Sequence, residues 1–254
     1  MRINHNMMAA NASRQLGVNS SSQQKSLQKL SSGLAINSAS DNAAGLSISE
    51  RMRAGIANLN QSSANAQDGI SELQTREGGL NEISAMLVRM SELTVERANG
   101  TYSSEDQANI DAETKELGGE ISSIATSSAG TLDVCIGSDS EVGTTIGTAV
   151  DVAALTTAAA GAGGSLTSTI INTAITNVDK ARSTLGAQIN KLQYASDNLK
   201  TTSENTQSAE SRIRDTDMAS EMANFNKYNI LVQASTSMLS QANSSQQNIL
   251  SLFR

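Results

Sequence analysis

The chain has 254 residues with three Tyr, two Phe, no Trp, no Pro, a single Cys and a net charge of −7. Aromatic side chains carry much of the buried area of globular cores, so a chain with 2% of them is not an ordinary compact globule. Lone Cys135 excludes an intrachain disulfide, and the apolar content (Ala, Leu, Ile, Val, Met) suits thin helix–helix seams.

The charge is unevenly spread. Residues 1–60 carry six Lys/Arg and two Asp/Glu, residues 61–210 eight and twenty, and residues 211–254 four and three. An acidic middle suits a solvated surface, and weakly basic ends suit burial in an assembly. No basic stripe is interleaved with aromatics, so nucleic acid is not an expected partner. No segment approaches the roughly 20 apolar residues of a membrane span, so membrane insertion is not expected either. Met1 to Gln15 is polar and Asn-rich, without the apolar core of a signal peptide.

At the N-terminal end, Leu16, Leu27, Leu30 and Leu34 form a sparse stripe with Ser and Gln between them. Asn37 to Gly45 reads as a tightly packed turn of small polar residues around Asp41, either a plain linker or a switch between subunit packings. Ile70, Leu73, Leu80, Ile83, Leu87 and Met90 then follow a three–four spacing, one stripe of a long helix. Asn99-Gly100-Thr101 reads as its stop. Ser103 or Ser104 is placed to cap a second helix with Glu105 and Asp106 in its first turn, running to about Ile124.

From Thr131 to Val150 alternating apolar residues around a Gly-rich turn predict a β-hairpin. Cys135 falls in it and reads as a small buried apolar residue. Residues 151–165 are Ala-, Gly- and Thr-rich and read as a variable connection. Helical spacing resumes at Ile171, Ile175, Val178, Leu185, Ile189, Leu192 and Leu199. In the last segment Met218, Phe225, Val232, Leu239 and Phe253 share one position of a seven-residue repeat, with Met222 and Leu250 on a second position. The remaining places at that second position are Asn229, Thr236 and Asn243. Seams this polar do not hold isolated helices in water. Both ends are therefore expected to be disordered in the monomer and to order on assembly.

The residues at both ends carry a resemblance. Leu30-Ser-Ser-Gly-Leu-Ala-Ile-Asn37, continuing through Ser38-Ala-Ser-Asp-Asn-Ala-Ala-Gly-Leu46 to Glu50-Arg-Met52, resembles the N-terminal signature of bacterial flagellin. Leu93-Thr-Val-Glu-Arg-Ala-Asn-Gly-Thr101 resembles the family's turn after its first long helix, and Asn248-Ile-Leu-Ser-Leu-Phe-Arg254 its terminal helix. The resemblance covers nearly all the chain except 125–165. One departure stands before the hairpin, where the family's Phe-Asn-Gly turn is replaced by Ile124-Ala-Thr-Ser-Ser-Ala-Gly130.

The resemblance implies a mainly α fold of long antiparallel helices, in a coiled-coil or bundle arrangement with a small β-hairpin. Residues 1–42 with 212–254 would pair as an inner terminal coiled-coil domain. Residues 43–211 would form an outer helical domain, in a short form without large variable outer domains. It implies a structural subunit, not an enzyme, that assembles with itself into the flagellar filament for swimming. The chain would be secreted unfolded by the flagellar type III apparatus, with an export chaperone on its C-terminal segment and filament cap and junction proteins as further partners. In flagellins recognised by Toll-like receptor 5 of a host, contact residues match Arg89, Leu93 and Glu113 here. The i, i+4 spacing is expected to put Arg89 and Leu93 on one helix face. The alternatives are a hook–filament junction protein of the same superfamily and a non-polymerising coiled-coil binding module.

No catalytic, cofactor or metal site is expected. His5 stands in a polar stretch without a partner, and no zinc, phosphate-loop or nucleophile-elbow motif occurs.

Overall fold

The computed structural model describes residues 6–128, 131–135, 143–147 and 168–252. The elements are α1 (Met7–Ser32), α2 (Ala43–Arg97), α3 (Ser104–Ser128), β1 (Thr131–Cys135), β2 (Gly143–Gly147), α4 (Ser168–Arg214) and α5 (Met218–Leu252). The chain divides into two compact units, one of Met1–Ala54 with Asn205–Arg254 and one of Gly55–Glu204. The expected mainly α architecture with one hairpin is the observed one.

The Gly55–Glu204 unit has an apolar core. Leu73, Leu80, Ile83, Leu87 and Met90 of α2 are buried against Ile121 of α3 and Ile171, Val178, Leu185 and Leu192 of α4. Those of α2 and α4 are residues whose three–four spacing marked one stripe on each of these helices, while Ile121 was not singled out. Full burial of such a side chain contributes about 1.5–3 kcal/mol, so the cluster holds this unit together without help. Surface ion pairs flank it: Arg182 of α4 meets Glu77 of α2 at 2.8 Å, and Arg97 of α2 meets Asp111 of α3 at 2.7 Å.

The turn from α2 into α3 follows the expected chemistry. Ser103 caps α3: its Oγ accepts from the Asp106 amide at 3.2 Å, while the Asp106 carboxylate accepts from the Ser103 amide at 3.1 Å. This reciprocal bond is a capping box with Asp in the place of Glu. The Ser103 bonds hold the Asp106 carboxyl below the usual range.

The hairpin pairs β1 and β2 antiparallel, Thr131 with Gly147 through Cys135 with Gly143. This pairing falls within the predicted 131–150; residues 136–142 and 148–150 lie outside the described ones. Val134 is buried in the core. A Cβ on Gly69 of α2 would stand 2.9 Å from a Val134 methyl, so strand and helix approach that closely only because residue 69 is glycine. The connection at 151–165 and the Cys135 side chain lie outside the described residues.

The other unit is built differently. Within it α1 lies antiparallel to α5. Asn6 donates to the Ala242 carbonyl at 3.0 Å, Asn19 to the Ser235 hydroxyl at 3.1 Å, and Ser26 to the Glu221 carboxylate. Asn19 and Ser26 are its buried α1 residues. Apolar residues near them are only half-buried: Leu16 and Leu30 on α1, Phe225, Val232 and Leu239 on α5.

Candidate assembly and receptor surfaces

Three features of the chain bear on function: the α1–α5 pair, the turns that join each of these helices to the next element, and the exposed face of α2 beside α3.

On α5 the inward positions are Glu221, Phe225, Tyr228, Val232, Ser235, Leu239 and Ala242. Their alternation of three and four is a heptad seam. Of the residues expected on the polymerisation seam, Phe225, Val232 and Leu239 are half-buried within the pair, and Met222, at the second expected position, is exposed. The second position within the pair is instead occupied by Glu221, Tyr228, Ser235 and Ala242. Met218 and Met222 lie outside this intrachain seam, at 48% and 47% exposed. On α1 the inward series is Ala9, Ala12, Leu16, Asn19, Gln23, Ser26 and Leu30. Leu27 falls off it and is 55% exposed. Leu34 lies beyond α1, in a bridge to Asp215. Phe253 and the side chain of Leu250 lie outside the described residues.

Three exposed apolar residues of α5 were not read from the sequence. Ile230, Leu231 and Met238 of α5 are exposed along with Met218 and Met222. At about 100° per residue they stand at both edges of the seam strip and opposite it, among exposed polar residues such as Asn226, Lys227, Gln233 and Ser237. The signal was present as a lack of contrast around the helix, which a search for a single stripe passes over.

The turns at the other end of the pair are tied together. Gly33 ends α1 with φ +73°, its amide bonded to the Lys29 carbonyl at 2.8 Å. That left-handed conformation favours glycine. The Gly33 carbonyl accepts from Thr216, and the Ala35 amide donates to the Arg214 carbonyl at 2.7 Å. Arg214 also reaches Glu50 of α2 at 2.8 Å. This bond is the main reason the Glu50 carboxyl titrates below its usual range.

The following turn closes on Asp41, whose carboxylate accepts from the Ser38 amide at 3.1 Å and the Asn37 amide at 3.2 Å. Those backbone bonds push the Asp41 carboxyl down. Asn42 caps α2 by accepting from the Gly45 amide at 2.9 Å. A Cβ on Gly45 would come within 2.7 Å of the buried Ile36, so the turn is packed around glycine.

On α2, Arg89 joins Glu113 of α3 at 3.0 Å and Glu92 at 3.3 Å. The carboxylates hold its guanidinium pKa above the ordinary arginine value, Glu113 first. The structure thus brings Arg89 and Glu113 together. It does not bring Leu93 to them: Leu93 is 1% exposed and turned into the core. A long helix has only one sheltered strip here, and Leu93 continues the buried series from Met90 while Arg89 does not. Val88 and Val95, which share a different line of α2 from Arg89, are 50% and 69% exposed.

Among the described residues no three His, Cys, Asp or Glu side chains stand together as a metal site. No helix is long and apolar enough to cross a membrane. His5 lies outside the described residues.

Comparison with known proteins gives the same family at both ends. The bacterial flagellin N-terminal helical region matches residues 3–130, and the bacterial flagellin C-terminal helical region matches residues 168–253. The chain is 45% identical to a flagellin of Halalkalibacterium halodurans, over 100% of both chains. It is 40% identical to the flagellar filament 33 kDa core protein of Treponema phagedenis and 38% identical to a flagellin of Bacillus subtilis, again over 100% of each chain. With its two helical ends matched in order and its whole length aligned to these relatives, the chain belongs to the bacterial flagellin family.

Proposed function

We propose that this chain is the self-assembling subunit of a bacterial flagellar filament, secreted to the cell exterior and serving swimming motility. The observation that supports this most directly is the set of exposed apolar side chains on α5. Met218, Met222, Ile230, Leu231 and Met238 remain exposed after α1 has covered one strip, and exposed apolar side chains gathered on one helix suit a protein partner. The family and the weak polar seam make that partner further copies of the same pair. In this reading residues 1–42 with 212–254 form the inner layer and 43–211 the outer one. The unburied ends of the last subunits are what filament cap and junction proteins would engage. A seam that polar also suits export in the unfolded state through the type III apparatus, with a chaperone covering the C-terminal segment.

Electron microscopy of purified protein after addition of filament seeds tests the proposal. Long filaments are the expected outcome. A coiled-coil binding module would stay soluble, and a hook–filament junction protein would add to ends without extending them.

The monomer is also proposed to bind Toll-like receptor 5 of a host through Arg89 and Glu113. A protruding arginine is a common hot spot. Leu93, being buried, would act only by keeping α2 in place. Arg89→Ala is expected to weaken receptor binding by about tenfold; unchanged affinity would remove Arg89 from the interface.

A further inference from the structure

Methionine is distributed unevenly over the two units. The chain has nine Met, one Cys and no Trp, so thioethers are its main oxidisable groups. Met7, Met8, Met218, Met222 and Met238, all on α1 or α5, are exposed at 66%, 68%, 48%, 47% and 60%. In the Gly55–Glu204 unit Met90 is fully buried and Met86 half-buried.

Met218, Met222 and Met238 belong to the α5 surface that, in the reading above, becomes buried between copies, and Met7 and Met8 stand exposed on α1, the helix paired with it. Methionine suits such a face because its unbranched thioether adapts to irregular neighbours. The same atom accepts oxygen from peroxides, which turns an apolar side chain into a polar one.

We infer that these five methionines are sites of reversible sulfoxidation that blocks addition of the free subunit to a filament. The inference rests on the filament-subunit reading. In the reaction an oxygen atom passes from a peroxide to the sulfur, and a new S–O bond forms as the O–O bond breaks. The sulfur loses two electrons and, with hydrogen peroxide, water leaves. A sulfoxide placed in a dry helix interface lacks the partner its oxygen had in water, which opposes burial. Subunits already assembled have their methionines covered and are spared. The chemistry therefore acts on the subunit in transit, before it is incorporated.

The test treats full-length monomer, and separately seeded filament, with limiting hydrogen peroxide. Peptide mass spectrometry reads the oxidation at each methionine, and seeded growth reads assembly. The five exposed methionines should oxidise before Met90 in the monomer and be protected in the filament. Oxidised monomer should elongate seeds about tenfold more slowly, and methionine sulfoxide reductases with a dithiol should restore the rate. A variant carrying Leu at all five positions alters the assembly face itself, so it is read against its own untreated rate, of which it should keep a larger share after peroxide than the parent does.

Oxidised parent that elongates at the untreated rate overturns the inference, as does a Leu variant that loses assembly to peroxide as fully as the parent. If the Leu variant fails to elongate before treatment, rescue of the oxidised parent by the reductases decides the matter. Untreated parent that never extends seeds overturns the filament reading and this one with it. Untreated and oxidised parent that both extend them overturn this one alone.

Discussion

The α1–α5 pair and the core of the Gly55–Glu204 unit are both antiparallel packings of long helices, yet they are filled with different chemistry. The second is sealed by Leu73, Leu80, Ile83, Leu87, Ile171, Leu185 and Leu192. The first has Asn19, Ser26, Ser235 and Glu221 at inward positions, joined by hydrogen bonds, and leaves much of its apolar surface outside. A net hydrogen bond contributes only about 0.5–1.5 kcal/mol, and buried Leu or Ile about 1.5–3. One packing is therefore complete within a single chain. The other is unfinished, and its unfinished surface faces outward where copies can meet it.

The largest expected effect tests this contrast by substitution to alanine. Leu87→Ala, at a fully buried position, should cost about 2–5 kcal/mol of stability in thermal or denaturant unfolding. Leu27→Ala, on the exposed side of α1, should stay within about 0.5 kcal/mol in the monomer while impairing filament growth. Equal losses of monomer stability would erase the distinction between the two units.

A smaller effect sharpens the account of the seam. In the monomer, amides of α1 and α5 are expected to exchange much faster than those of α2 around Leu80 to Met90. The double substitution Ser26→Leu with Glu221→Leu removes a polar pair that sets register at a cost in stability, so exchange at both ends should slow. Ends that are already slow in the parent would show that the pair needs no neighbours.

The smallest effect is on pH. Asp41 and Glu50 both have depressed carboxyl pKa values, from the Ser38 and Asn37 amides and from Arg214 respectively. A carboxyl lowered in the folded state stabilises it above the ordinary value, and the contribution is lost as pH falls through the folded value. Both groups are exposed, so the effect is local. Amide resonances of Ala35 and Thr216 should broaden or shift below about pH 4, before the apolar core of the Gly55–Glu204 unit responds. Simultaneous loss in both units would point to global unfolding instead.

Much of this was legible in the chain. The stripes from Ile70 to Met90 and from Ile171 to Leu192 identified the core because three–four spacing maps directly onto one helix face. The Ser103 cap and the hairpin followed from local chemistry. The seam of α5 was half legible, since Phe225, Val232 and Leu239 mark one position. The second position within the pair was not legible, because Met222 is apolar and Glu221 is not, yet it is Glu221 that pairs with Ser26. Leu93 was set beside Arg89 by the resemblance and by i, i+4 spacing, and spacing does not say which of two neighbours on a helix turns inward.

The sequence by itself determined the family, the helical class and the stripes that must be buried, because periodicity and turn chemistry are local properties. Only the tertiary structure decided which face of each helix had a partner within the chain. That choice depends on residues brought together from opposite ends: Ser26 with Glu221, Arg214 with Glu50, Arg89 with Glu113. A strip is known to be sheltered only when the helix that covers it is in place, and what remains uncovered on α1 and α5 is the surface available for assembly.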